Sequence, residues 1–164
     1  VRASFFILDN MIIKNHDLVK RMIDEGHTVA NHTLKHKDMS KITNIIDFEK
    51  ELSSLEKLYE EAFGISMSKY YRPPEGRFTE ENLKYAQDLG YKTVFWSLAY
   101  VDWRNDDQPS DAQAFEKLLP RTHDGAVVLL HSTSQTNAEV LDELLTQWKS
   151  KGYRFETIDK LFAT

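Results

Sequence analysis

The sequence predicts an α/β domain, a parallel sheet with helices packed outside it, on three observations. Short apolar or β-branched runs alternate with segments of helical periodicity, giving six βα units in 164 residues, the pattern of a parallel sheet. Three of the helical segments stop at a glycine, Gly26, Gly64 and Gly90, as the left-handed residue after a helix favours. The run from Gly125 to His131 is apolar over five consecutive positions, as a strand covered on both faces requires.

The first strand is Ala3–Leu8, and the helix after it places Leu18, Val19, Met22 and Ile23 on one face, with Asn15 as N-cap. His27–Asn31 reads as the second strand. After a polar loop, residues 46–63 repeat Leu52, Leu55, Leu58, Tyr59 and Ala62 at helical spacing. Lys69–Arg72 is a short strand halted by Pro73 and Pro74, and Thr79 caps a helix through Leu89. Tyr91–Leu98 is a fourth strand, followed by a loop to Ser110 and a helix over Asp111–Leu119. The strand 125–131, a helix over Asn137–Lys149, a strand over Tyr153–Thr157 and a short helix over Ile158–Phe162 complete the chain.

Hydrophobic residues at 41%, charged residues at 29%, and only 6 Gly and 4 Pro predict one packed domain over residues 1–164, without linker or internal repeat. The net charge of −5 gives no electrostatic drive toward nucleic acid. With no cysteine, a metal would have to bind histidines and carboxylates. No apolar run approaches a membrane span, and Val1–Phe6 lacks the layout of a signal peptide. The chain opens without Met inside an apolar run, which points to a start in mid-domain. Neither Gly-x-Gly-x-x-Gly nor Gly-x-x-x-x-Gly-Lys-Ser/Thr occurs, so among α/β folds a barrel is favoured over a nucleotide-binding sheet. A complete eight-unit barrel takes about 250 residues, so six units imply an open sheet or a missing piece.

Functional groups in such folds collect at the carboxyl ends of strands. His32 and His36 follow the second strand. With three residues between them, they can chelate one metal on a helical turn or tight loop, or stand as two solvated loop histidines. Arg72 is stiffened by Pro73 and Pro74 and reads either as a carboxylate partner or as part of a surface turn. Asp102 stands beside Trp103, and a buried carboxylate there needs a donor. His131, where a strand emerges, suits general acid–base chemistry or a structural hydrogen bond. His16, His27 and His123 read as structural or solvated, and the helix after His131 as an outer amphipathic helix.

Taken in order, Ala3-Ser-Phe-Phe6, His32-Thr-x-x-His36, Arg72-Pro-Pro-x-Gly76, Asp102-Trp103 and Leu129-Leu-His131 resemble the successive motifs of the polysaccharide deacetylases, the NodB-homology group or carbohydrate esterase family four. The stretches 93–103 and 129–139 are most similar to the δ-lactam-biosynthetic deacetylases of spore-forming bacteria, which act on muramic acid in cortex peptidoglycan. The resemblance implies an irregular seven-stranded (β/α) barrel and metal-dependent removal of an N-acetyl group from a glycan. It makes His32 and His36 ligands of a divalent ion, zinc first, with cobalt, nickel or manganese as alternatives. It makes His131 the general acid, oriented by Asp102, with Arg72 holding the catalytic base. Trp103 and Leu129 would wall the acetyl methyl, and the backbone N–H near Glu75 would help bind the oxyanion. Many relatives carry Tyr where Glu75 stands, which bears on the choice of glycan. The base comes from a Thr-Phe-Asp-Asp-Gly or Asp-Asn-Gly motif ending a strand before residue 3, and these 164 residues do not contain it. The expectation is therefore an N-terminally incomplete catalytic domain with exposed sheet edges. Expected partners are peptidoglycan and not nucleic acid or a membrane-spanning segment, and the expected location is extracytoplasmic. The alternatives are a non-catalytic glycan-binding remnant, a deacetylase of N-acetylglucosamine polymers, or an amidohydrolase of small amides.

Overall fold

The structure, a computed structural model, describes residues 1–163. The chain divides into two compact units where the sequence predicts one: Val1–Phe95 with the segment from Glu156 onward, and Trp96–Phe155.

In the first unit, β1 (Ser4–Ile7), β2 (Thr28–Asn31), β3 (Ser68–Tyr71) and β4 (Lys92–Thr93) form one parallel sheet in sequence order. The connections carry helices α1 (Asp9–Lys14), α2 (His16–Asp24), α3 (Ile45–Phe63) and α4 (Glu80–Asp88), and α7 (Ile158–Leu161) also belongs to this unit. Two apolar clusters hold it. One packs Ile7 and Val29 of the sheet against Ile12, Val19, Met22, Leu55 and Tyr59. The other joins Met39, Phe48, Leu52, Tyr71, Ala86 and Tyr91. Helix α3 therefore buries both of its flanks, as its long apolar stripe requires. The Asn44 side chain accepts from the Asp47 N–H at 2.8 Å at its start, and Gly64, at φ 69°, ends it.

Register places the chemistry. Ala30 pairs with Ser68 but Asn31 pairs with Tyr71, so β3 carries two extra residues at this point. Such an irregularity re-aims the strand end, and here it draws Arg72 level with β2, the Arg72 N–H donating to the Asn31 carbonyl at 3.1 Å.

The second unit contains α5 (Asp111–Leu118) and α6 (Gln135–Ser150) around Leu98, Tyr100, Ala114, Leu118, Val140, Leu144 and Trp148. Ser110 and Gln113 form a reciprocal capping box on α5.

Five expectations change. Helix α1 is absent from the sequence reading, because its triplet Met11-Ile12-Ile13 shows no periodic face. Asn15 occupies the N-cap of α2 without a side-chain cap bond, its amide lying 3.7 Å from the Met11 sulfur. The fourth strand is two residues long, and 125–131 meets a neighbour only through the Leu98–Val128 bridge and adjoining backbone bonds, with 126–130 half-buried. Residues 153–157 form no strand among the described residues, Tyr153 and Phe155 packing instead on the second unit's core.

Candidate active site

In the first unit the chemistry sits on the two segments that leave β2 and β3. His32 is 8% exposed, and its Nδ1 lies 2.7 Å from the Arg72 carbonyl. A carbonyl only accepts, so Nδ1 carries the hydrogen and the ring's basic lone pair falls on Nε2, the arrangement a metal-ligating histidine needs. The His36 ring lies edge-on to it, with centroids 5.0 Å apart and planes at 79°.

The loop between them holds an unusual backbone. Thr33 stands at φ 71° and His36 at φ 55°, a left-handed region that costs non-glycine residues about 1–3 kcal/mol each. Several ties hold it. The Thr33 N–H donates to Asn31 Oδ1 at 2.9 Å, and the His36 N–H donates to Thr33 Oγ1 at 3.0 Å. Lys35 pairs with buried Asp9, and Lys37 pairs with buried Glu51 at 2.5 Å.

The two imidazoles are a donor set that fits a divalent ion of borderline softness. Among the described residues no cluster of three or more His, Asp or Glu forms. Arg72 lays its guanidinium over the Phe6 ring, 5.1 Å from the centroid. Glu75, at φ 55° in a short turn (Pro74–Gly76), is exposed and pairs with Arg77 at 2.9 Å, which also holds Asp38 at 3.0 Å. The Glu75 charge is therefore partly compensated where it meets solvent.

In the second unit Asp102 is fully buried. Its Oδ1 accepts from His131 Nδ1 at 2.7 Å, while its Oδ2 accepts from the His131 N–H at 2.7 Å and from Asn137 Nδ2 at 2.6 Å. Burial pushes its carboxyl upward, but the His131 ring, the His131 N–H and Asn137 outweigh burial and leave it below the usual aspartate value. Asp102 therefore favours its ionised form, and His131 carries its hydrogen on Nδ1, which leaves the ring's lone pair on Nε2. The His131 side chain is 33% exposed, with the Trp103 ring edge-on at 5.9 Å and itself half exposed. Val128 and Leu130 pack on the core, whereas Leu129 alternates away from them on the same extended segment.

The sequence-predicted residues thus fall into two groups, His32, His36, Arg72 and Glu75 in the first unit and Asp102, Trp103, Leu129 and His131 in the second. Tyr100 and Asn137 escape the sequence reading. The sequence pattern starts the helix at Asn137 and faces it outward, but the helix starts at Gln135 under a Ser134 cap, which turns Asn137 inward. The other histidines make local contacts: His16 with the Ala62 carbonyl and Phe63, His27 with the Ala3 N–H, His123 with the Asp124 carbonyl.

Residues 1–94 match the family described as polysaccharide deacetylase. The chain belongs to the polysaccharide deacetylase family. It is 39% identical over 161 residues to the peptidoglycan-N-acetylmuramic acid deacetylase PdaA of Bacillus subtilis, covering 98% of this chain and 61% of that protein. The solved structure of PdaA, a family 4 carbohydrate esterase, matches with a TM-score of 0.93 over 99% of this chain and 69% of that one. A peptidoglycan-N-acetylglucosamine deacetylase of Bacillus cereus is 33% identical, covering 100% of this chain and 59% of that protein. A family 4 pseudoenzyme from Bacillus anthracis matches with a TM-score of 0.87 at 27% identity, over 98% of this chain and 55% of that one. The chain spans about three-fifths of the length of these two curated deacetylases. The α/β fold with its parallel sheet is that of the PdaA structure, and deacetylases of this family are in general metal-dependent.

Proposed function

We propose that this chain carries the metal-binding and proton-donating parts of an N-deacetylase of peptidoglycan, with N-acetylmuramic acid as its substrate class. The observation that carries the reading is the His32 and His36 pair, with His32 fixed in tautomer and both rings carried by a strained, tied-down loop. The 39% identity to PdaA favours muramic acid over glucosamine.

In this reading His32, through Nε2, and His36 hold a divalent ion, with zinc the first candidate and cobalt, nickel or manganese the others. When bound, the ion supplies Lewis-acid polarisation of the acetamide carbonyl. His131 gives a proton from Nε2 to the departing amine, because an amide nitrogen leaves poorly as an anion. Asp102 orients that imidazole and stabilises its charged form. Trp103 and Leu129 wall the acetyl methyl, and a backbone N–H near Glu75 steadies the developing oxyanion. Arg72 holds the general base, the aspartate of the family motif that these 164 residues do not contain. A peptidoglycan substrate places the protein outside the cytoplasm. No helix of the described residues is long and apolar enough to cross a membrane.

A second reading, glycan binding without turnover, is favoured by the similarity to a pseudoenzyme. Acetate release from muramic-acid-containing and glucosamine-containing glycans by the metal-loaded protein separates the two. Release from the muramic acid glycan first supports the proposal. Saturable binding of both glycans with no acetate establishes the second reading.

A further inference from the structure

Asn137 is a buried side chain of the second unit that links Tyr100, Asp102 and His131. It is 6% exposed, and both ends of its amide are used. Nδ2 donates to Asp102 Oδ2 at 2.6 Å and to the His131 carbonyl at 3.1 Å, while Oδ1 accepts from the Tyr100 hydroxyl at 2.5 Å. Its backbone N–H donates to Ser134 Oγ at 3.1 Å, so the cap of α6 fixes the base of the side chain. Both groups facing Nδ2 only accept. A reversed amide would set oxygen against oxygen at each contact.

Tyr100 secures the same orientation from the other end. It is 7% exposed, and burial, followed by the Asp102 charge and a smaller contribution from Asp111 at the start of α5, outweighs a Ser134 hydrogen bond that acts the other way and lifts its pKa to about 12. The phenol therefore keeps its hydrogen and donates. The titratable groups of this network are Asp102, His131, Tyr100 and Asp111, and its direction runs from Tyr100 through Asn137 to Asp102.

We propose that Asn137, oriented by Tyr100, is a positioning residue that holds Asp102 ionised and aligned on His131, so that the imidazole exchanges protons only at Nε2. The proposal rests on the reading of His131 as the proton donor. It is tested with Asn137→Asp, Asn137→Ala and Tyr100→Phe, reading the pH profile of kcat on acetylated glycan and, independently, the ¹⁵N shifts of the His131 ring.

In Asn137→Asp, a protonated carboxyl at acid pH donates one hydrogen to Asp102 and reproduces the arrangement. Once it ionises, two facing carboxylates repel. Its kcat is expected to approach the parent's at low pH and to fall by about tenfold or more through a new ionisation as pH rises, with KM and metal content unchanged. Asn137→Ala is low at every pH, and Tyr100→Phe, which keeps the ring in the core, falls in between. A merely structural asparagine creates no new ionisation. A parent-like profile in Asn137→Asp, together with an unchanged Nδ1–H signal in Asn137→Ala, overturns the proposal. If the parent releases no acetate, the deacetylase reading fails and the ¹⁵N shifts decide alone. A tautomer that changes with residue 137 sustains the positioning role, and one indifferent to it ends that role.

Discussion

Replacing Asp102 by Asn removes one charge and almost no volume, and the surrounding donors dictate how the new amide must sit. The Oδ2 position faces the His131 N–H and Asn137 Nδ2, and neither can become an acceptor. The new amide must therefore put its oxygen there and its NH₂ toward His131 Nδ1. Nδ1 becomes an acceptor and the hydrogen moves to Nε2, so protonating the ring would set one N–H against another. A hydrogen bond to a charged group contributes about 1.5–3 kcal/mol, or roughly one to two pH units of imidazole basicity. With the correctly protonated acid depleted, kcat is expected to drop by about 10²–10⁴, the range of a lost general acid. Metal content should stay at the parental level, because His32 and His36 are untouched. The same substitution carries a stability signature. The Asp102 carboxyl lies below the usual 3.8 in the native state, so its contribution is complete above the ordinary carboxylate range and is lost as pH falls through the depressed value. Asp102→Asn should therefore flatten the acid limb of the unfolding curve. A variant that turns over within about tenfold of the parent, with the hydrogen still on Nδ1 by ¹⁵N NMR, would refute this reasoning.

His32→Ala or His36→Ala should abolish metal binding by titration calorimetry, whereas His131→Ala should keep the metal and lose turnover. Parental turnover in His131→Ala would remove it as the acid. Leu52→Ala, at a fully buried position in the cluster of Phe48 and Tyr71, should lower unfolding free energy in urea by about 2–5 kcal/mol. Ser110→Ala breaks the capping box of α5 and should destabilise the chain by about 1 kcal/mol, with kcat unchanged.

The alternation of strands and helices is legible because it rests on local periodicity and stop signals, and α3, α4 and α5 lie close to where the sequence puts them. Strand lengths are not. Residues 91–98 and 153–157 have β-prone composition, but a strand exists only where a distant segment pairs with it, and Tyr153 and Phe155 find packing instead. His32, His36, Asp102 and His131 are legible as candidates because they stand where the sequence predicts strands to end, the edge at which such folds collect functional groups. Asn137 and Tyr100 are not. An asparagine in the first turn of a helix reads as local capping and a tyrosine reads as core, and their joint meaning lies in contacts 35 and 37 residues apart in sequence.

The backbone strain in the first unit is equally hidden, and its position is informative. Among the described residues the non-glycine positions with positive φ are Thr33, His36 and Glu75, all in the two segments that leave β2 and β3 at their carboxyl ends. Glycine would adopt these angles without strain, so the case for the residues present lies in their side chains. Thr33 Oγ1 accepts the His36 N–H, the His36 ring faces His32, and Glu75 pairs with Arg77. Glycine at 33 would relieve strain and free the loop at once, since the hydroxyl that ties down the second imidazole would be gone. The flanking ion pairs complete the same logic. Lys35 and Lys37 bracket His36 and reach carboxylates buried on α1 and α3, so the loop is fastened on both sides of the ligand candidate. Strain of this kind persists only where the surroundings over-determine it, and here the hydrogen bonds and ion pairs that do so converge on the histidine pair.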